Sequence, residues 1–125
     1  SELVNQFLKK NKKKTLKNLN ENIPSTEDNI LILKTFLYKL KRLKKLKIKL
    51  KIEKKPDVII STFRPPIFWK DKDIIKQQLK MWSLDQIKML IIKVNELELF
   101  IKKNSLISNQ IINNFILEKL ETPNN

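Results

Sequence analysis

The side chains that most enzymes use for nucleophilic or acid–base chemistry are missing from this 125-residue chain. It contains no His, no Cys and no Gly. Without Cys and His there is no thiol nucleophile, no imidazole base, no disulfide and no ordinary zinc site. Without Gly, a glycine-rich phosphate loop or a dinucleotide fingerprint cannot form. The composition excludes most familiar enzyme classes, and we expect no catalysis, no cofactor and no metal.

Two pairs of acidic residues are the remaining candidates for a metal or acid–base site. Asp71 and Asp73 are two positions apart, and so are Glu96 and Glu98. Residues two apart on a helix point in different directions, so neither pair can easily share a metal ion or a substrate. We interpret both pairs as surface charge.

The most basic part of the chain is the stretch 39–55, which contains nine lysines and Arg42 against one acid, Glu53. One interpretation is a solvated helix face, its lysine content raised by the AT-rich codon usage that the absence of Ala also indicates. The other is a surface that contacts nucleic-acid phosphates without sequence preference. A membrane-surface helix fits less well, because its apolar face has no Trp and no Phe beyond Phe36. The candidate DNA-binding residues are Lys41, Arg42, Lys44, Lys45, Lys47, Lys49 and Lys51.

The net charge of +14 is placed unevenly along the chain. Residues 1–55 hold 17 basic and 5 acidic side chains, whereas residues 56–125 hold 10 and 8. Such a field attracts anionic partners. No run of 18 apolar residues predicts a membrane span. Because the chain lacks a start Met, a signal-type segment and Cys, we expect a piece of a longer, cytoplasmic protein.

Hydrophobic periodicity predicts helices throughout the first half of the chain. Short helices are expected over 2–10 and around Leu16 and Leu19, with breaks at Asn11 and at 22–25. Ser25 is a good N-cap for a long helix whose apolar stripe includes Leu33, Leu40 and Leu43.

The stretch 46–52 alternates between apolar residues and lysine, which on its own is typical of a half-buried strand. A single amphipathic strand needs a partner, and no other segment offers one. We therefore expect the long helix to continue to about Lys54.

The second half predicts four more elements. A short helix follows Pro56 as far as Ser61, and the next one begins at Asp71 and places Trp82 on its apolar face with Ile75 and Leu79. Ser83 and Gln86 form a capping box for a long helix that ends at 104–105, and a last helix covers 108–120. The sum is an all-α fold, one bundle of about five to seven helices with short connections.

The segment between the fourth and fifth helices carries the most specific string, RPPIFWKDKD at 64–73. Its two prolines impose an extended link. In one interpretation Ile67, Phe68 and Trp69 fill the core of the bundle while Arg64 caps helix carbonyls. In the other, the aromatic and cationic side chains project toward a partner protein or a nucleic-acid base.

This string, followed by LKMWSL at 79–84 and by the helix end ELELFIK at 96–102, resembles the C-terminal domain of the bacterial DNA polymerase III delta subunit. The resemblance covers roughly residues 25–120. Trp69 stands where Phe is usual in that family. The family-motif residues, expected to be structural or at an interface, are Arg64, Pro65, Pro66, Ile67, Phe68, Trp69, Trp82 and Ser83.

The resemblance implies a helical domain that follows two AAA+-like domains in a clamp-loader subunit. In that family the helical domain joins those of the tau/gamma and delta-prime subunits in a collar. The delta subunit opens the sliding clamp through its N-terminal domain, which has no counterpart in this chain, and it is not a working ATPase. The alternative is a stand-alone basic helical protein that binds the nucleic-acid backbone. A collar domain should expose apolar residues on more than one helix, whereas a nucleic-acid binder should concentrate lysine on one face.

Overall fold

The computed structural model describes residues 2–21 and 25–121, and within these ranges the chain is helical, with no strand. The predicted all-α bundle is confirmed. The predicted break at 22–24 lies outside the described residues. The helices are α1 (Glu2–Leu8), α2 (Lys12–Glu21), α3 (Thr26–Leu50), α4 (Pro56–Thr62), α5 (Lys72–Met81), α6 (Leu84–Lys103) and α7 (Ser108–Leu120), with 3₁₀ turns at Trp69–Asp71 and Ser105–Ile107.

The two longest helices, α3 and α6, form the most extensively packed pair in the bundle. Both begin with a capping box, as predicted. The Ser25 hydroxyl accepts the Asp28 N–H at 3.1 Å and the Asp28 carboxylate accepts the Ser25 N–H at 3.0 Å. At α6 the same two bonds join Ser83 and Gln86, at 3.1 and 2.9 Å. These caps satisfy amides that a helix start would otherwise leave without an acceptor.

The end of α3 differs from the prediction, because the helix stops at Leu50 and not near Lys54. Lys51 and Ile52 form a turn, in which the Ile52 N–H donates to the Lys49 carbonyl at 3.1 Å. Pro56 sets a limit that lies further along the chain. Its ring disfavours helical backbone at the preceding residue, and Lys55 is accordingly extended at φ −94° and ψ 107°.

Four aromatic side chains from α1, α3, α7 and the α5–α6 connection meet at the centre of the core. The Phe7 ring stacks on Trp82 at 5.6 Å and on Phe115 at 6.0 Å between ring centroids. Phe36 meets Phe7 and Phe115 edge-on, at 5.2 and 5.9 Å. Edge-to-face and stacked pairs add specific geometry to the burial of large apolar surfaces. The cluster fixes the short first helix in the middle of the bundle.

The connection from α1 to α2 is a Schellman motif built without glycine. The Asn11 N–H donates to the Gln6 carbonyl at 3.0 Å, and the Lys10 N–H donates to the Phe7 carbonyl at 2.8 Å. Lys10 has φ 56°, the left-handed conformation that Gly usually supplies at this position. The Lys10 ammonium lies 4.2 Å from the centroid of the Trp82 ring. Lys10 therefore combines a left-handed backbone with a cation–π contact to a core residue.

Candidate interaction surfaces

The basic stretch lies mostly on α3, where some of its cationic side chains are exposed and others are half-buried. Lys41, Lys45 and Lys49 are exposed on the outer side. The remaining predicted DNA-binding residues of the helix are half-buried along its flanks: Arg42, Lys44 and Lys47. Lys51 is exposed in the turn that follows the helix. The predicted residues therefore form a basic outer face with flanking cations that lean toward the core.

No acidic residue interrupts α3 between Asp28 and its end. None of its lysines forms an ion pair within the part of the chain that the structure describes. Burial lowers the pKa of Lys47. Burial is also the main cause that lowers the pKa of Lys39, to which the Arg42 charge adds, while the Asp71 carboxylate works in the opposite direction. The positive charge of α3 is thus compensated only weakly by the fold.

Arg42 lies against an exposed aromatic residue of the same helix. Its guanidinium carbon is 5.5 Å from the centroid of the Tyr38 ring, and Tyr38 is 58% exposed. The Arg42 Nε is buried and has no hydrogen-bond acceptor among the described residues. A buried donor without an acceptor is unusual and unfavourable.

The segment 63–71 corrects one of the two interpretations of the RPPIFW string. Ile67 is buried as expected, but Phe68 and Trp69 are 56% and 69% exposed and do not fill the core. These two residues lie where a 3₁₀ turn begins, which is closed by the Asp71 N–H on the Phe68 carbonyl at 2.9 Å. The aromatic projection is therefore the arrangement that the structure has.

The neighbours of this projection are cationic. The Lys70 ammonium lies 5.4 Å from the centroid of the Trp69 ring, and the Phe68 and Trp69 ring centroids are 5.9 Å apart. Arg64 donates from Nη1 to the carbonyl of the adjacent Phe63 at 3.0 Å. Phe63 is extended and lies just beyond the end of α4, so this bond is not the predicted capping of a helix carbonyl. Pro65 and Pro66 are exposed in the link, and the Arg64–Pro65 bond is cis. Together these side chains form a small aromatic and basic surface at one corner of the bundle.

The other two family-motif residues are structural. Trp82 is 2% exposed, and its Nε1 donates to the Leu8 carbonyl at 2.7 Å. Ser83 caps α6 through its hydroxyl. The prediction that Trp82, Ile75 and Leu79 are buried is confirmed. Trp82 is not on the helical face of α5, however, because the helix ends at Met81 and Trp82 is extended, at φ −134° and ψ 135°.

A second surface, which the sequence did not indicate by residue, lies on the outer side of α6. Four large apolar side chains are at least half exposed there. They follow helical spacing on the face opposite the buried Leu90, Val94 and Leu97, and this offset from the core stripe is the signal that could have identified them. We call them the α6 stripe: Met89, Ile92, Leu99 and Phe100. Leu106 and Ile107 continue the exposed apolar surface just beyond the helix end.

The acidic pairs do not form a site. Glu98 pairs with Lys102 at 3.1 Å, and within residues 2–21 and 25–121 no three acidic side chains come together as metal ligands would. An open pocket is lined by Trp82, Asp85, Gln86, Met89, Leu90 and Lys119. Across the same ranges, no helix combines the length and apolarity needed to cross a membrane.

Comparison of the chain with known protein families, with curated proteins and with solved structures finds no match.

Proposed function

We propose that this chain is the helical assembly module of a clamp-loader delta subunit and packs against sister subunits in a collar. The observation that carries the proposal is exposed apolar surface on more than one helix. The α6 stripe is one such surface, and Leu31, Tyr38 and Ile48 expose another on α3. Subunit interfaces that persist resemble a core divided between two chains, and their apolar residues are exposed only when the partner is absent.

The separation of the two surfaces also supports assembly with two neighbours. α3 and α6 pack against each other through their buried faces, so each presents its exposed residues on the side away from the core. A subunit inside a ring needs two different contact surfaces, one for each neighbour. A simple two-fold dimer needs only one.

The resemblance to the delta family supports the same function from the motifs. Three parts of the motif have a structural role in this chain: Ser83 caps α6, Trp82 is a hydrogen-bonded core residue, and 64–69 forms a proline-containing link. On this proposal the partners are the tau/gamma and delta-prime subunits. Sliding-clamp opening belongs to the N-terminal domain of the whole subunit, the assembly works in the cytoplasm, and this chain performs no catalysis of its own.

The decisive experiment is reconstitution with purified tau/gamma and delta-prime subunits from the same source, followed by size-exclusion chromatography with light scattering. We expect the chain to co-elute with at least one of them. Replacement of Leu99 and Phe100 by Ser should abolish co-elution with the neighbour that contacts the α6 stripe and leave binding of the other subunit intact. The matched control replaces Leu117, an exposed apolar residue of α7, by Ser and should assemble normally. A folded wild-type chain that binds neither subunit contradicts the proposal.

The second candidate function is non-specific contact with DNA through the basic residues of α3. The observation that favours it is the exposed Phe68–Trp69 pair beside Lys70, because aromatic rings next to cations suit the bases and phosphates of a single strand. Lys39, close enough to Asp71 for that carboxylate to raise its pKa, links this corner to α3. Binding of unrelated oligonucleotides across a salt series tests the candidate.

A further inference from the structure

The outer side of α3 carries a regular seam of exposed side chains. Its members recur at alternating intervals of three and four residues, the spacing that keeps one stripe facing a single partner helix. We call them the α3 stripe: Leu31, Lys34, Tyr38, Lys41, Lys45 and Ile48, all exposed. At 1.5 Å per residue the stripe is about 26 Å long, enough for a partner helix of about 18 residues.

The apolar members of the stripe require an apolar partner. Leu31 is 64% exposed and Tyr38 58%, and Ile48 is exposed near the other end. A phosphate backbone would cover these side chains without gaining from their burial, whereas a protein helix with its own apolar seam would remove both surfaces from water.

The basic members require carboxylates in that partner. Lys34, Lys41 and Lys45 have no ion-pair partner among residues 2–21 and 25–121, and α3 supplies no acid of its own after Asp28. Positive surfaces select partners of opposite charge and repel others.

We propose that the α3 stripe binds an acidic amphipathic helix of a partner protein, with an apolar seam against Leu31, Tyr38 and Ile48 and with Glu or Asp opposite the lysines. This inference rests on the proposed assembly function and specifies the chemistry of one neighbour. The two helices would pair as in a coiled coil, through an apolar heptad seam, and the charges that flank the seam would determine which partner binds.

The test uses the 125-residue chain and two fluorescein-labelled synthetic peptides of three heptads, measured by fluorescence anisotropy. Both peptides carry Leu along one seam, one with Glu on its flanks and the other with Lys. We expect the Glu peptide to bind and the Lys peptide not to bind. A triple variant should weaken binding of the Glu peptide more than tenfold and should allow the Lys peptide to bind. It carries Lys34→Glu, Lys41→Glu and Lys45→Glu.

Two controls separate this interaction from general charge attraction. Glu substitutions at Lys13, Lys14 and Lys17, exposed residues of α2, change the net charge equally and should leave the affinity within twofold. Gln substitutions at Leu31, Tyr38 and Ile48 preserve helix propensity and net charge. They should also reduce the affinity for the Glu peptide more than tenfold. Circular dichroism establishes that each variant is folded.

Four outcomes overturn the inference. One is a Glu peptide that does not bind the folded chain. Another is equal binding by the α2 and α3 charge variants. The third is an unlabelled duplex oligonucleotide that displaces the peptide and binds independently of Leu31, Tyr38 and Ile48, which assigns the stripe to nucleic acid. The fourth is an α3-stripe variant that still assembles with both tau/gamma and delta-prime. A wild-type chain that binds neither subunit instead refutes the proposed assembly function.

Discussion

The Trp82 indole caps the end of a helix that lies 74 positions earlier in the chain. Its Nε1 donates to the Leu8 carbonyl at 2.7 Å, and its ring stacks on Phe7, the neighbouring residue in the same turn. The last carbonyls of a helix have no partner inside that helix. One side chain therefore supplies both the hydrogen bond and the apolar contact that attach α1 to the α5–α6 connection.

We expect Trp82→Ala to lower the free energy of unfolding by about 3–5 kcal/mol, the usual range for a buried Trp. Trp82→Phe should cost less, about 1–3 kcal/mol, since it keeps an aromatic ring but leaves the Leu8 carbonyl without a donor. Urea unfolding followed by circular dichroism measures both. Trp69→Ala is the matched control. Because Trp69 is exposed, we expect a change within about 0.5 kcal/mol.

Removal of the α6 cap provides a local test of the fold. Ser83→Ala should destabilise the chain by about 1 kcal/mol, because the Gln86 amide loses the hydroxyl that it donates to. Ser61→Ala, at an exposed position of α4, is the control for the loss of a hydroxyl alone. Equal stability of the two variants in urea would argue against the cap.

The capping box at α3 predicts a loss of stability in acid. Hydrogen bonds from the Ser25 backbone and side chain hold the pKa of Asp28 below its ordinary value of 3.8. A carboxyl with a lower pKa in the folded state stabilises the fold above its unfolded pKa, and this contribution disappears as the pH falls through the folded pKa. We therefore expect the unfolding free energy to decline below about pH 4, the usual unfolded carboxyl range.

The measurement for Asp28 is urea unfolding at a series of pH values. Asp28→Asn should reduce the pH dependence below 4, because the amide does not titrate. Glu27→Gln makes the same change of charge at the neighbouring exposed position without touching the cap, and it should leave the slope largely intact. A slope that is the same in all three proteins refutes this assignment.

Contact with DNA should be weak and sensitive to salt. At physiological ionic strength non-specific binding typically has a Kd of about 10⁻⁴–10⁻⁶ M, and it weakens as salt rises. Changing Lys44, Lys45, Lys47 and Lys49 to Gln should reduce the slope of log Kd against log salt. Affinity for single-stranded and duplex oligonucleotides that does not depend on salt, or that the four substitutions leave unchanged, makes α3 a solvated surface with respect to DNA.

Local interactions explain why so much of the fold can be predicted from the sequence. The caps at Ser25 and Ser83 depend on residues three positions apart, and the core stripe of α6 depends on helical spacing alone. Both are visible in the sequence because nothing distant determines them.

The features that could not be predicted are the orientation of particular side chains, the exact end of a helix and contacts between distant parts of the chain. Phe68 and Trp69 are as apolar as buried Ile67, so residue type does not decide which of the three side chains point outward. The end of α3 at Leu50 has no local signal in the sequence, since Pro56 restricts only Lys55. The position of Phe7 against Phe115 depends on closure of the whole bundle, for which the sequence carries no local signal.

The aromatic cluster has a consequence for synthesis in the cell. Phe7 and Phe115 stack although more than a hundred residues separate them, and Lys12 pairs with Glu121 across a similar interval. At a typical ribosomal rate of about 5–20 residues per second, α1 emerges roughly 5–20 s before α7. During that interval Phe7 and Leu8 lack part of their final surroundings. The nascent chain is thus a natural client for chaperones that hold exposed apolar segments until translation is complete.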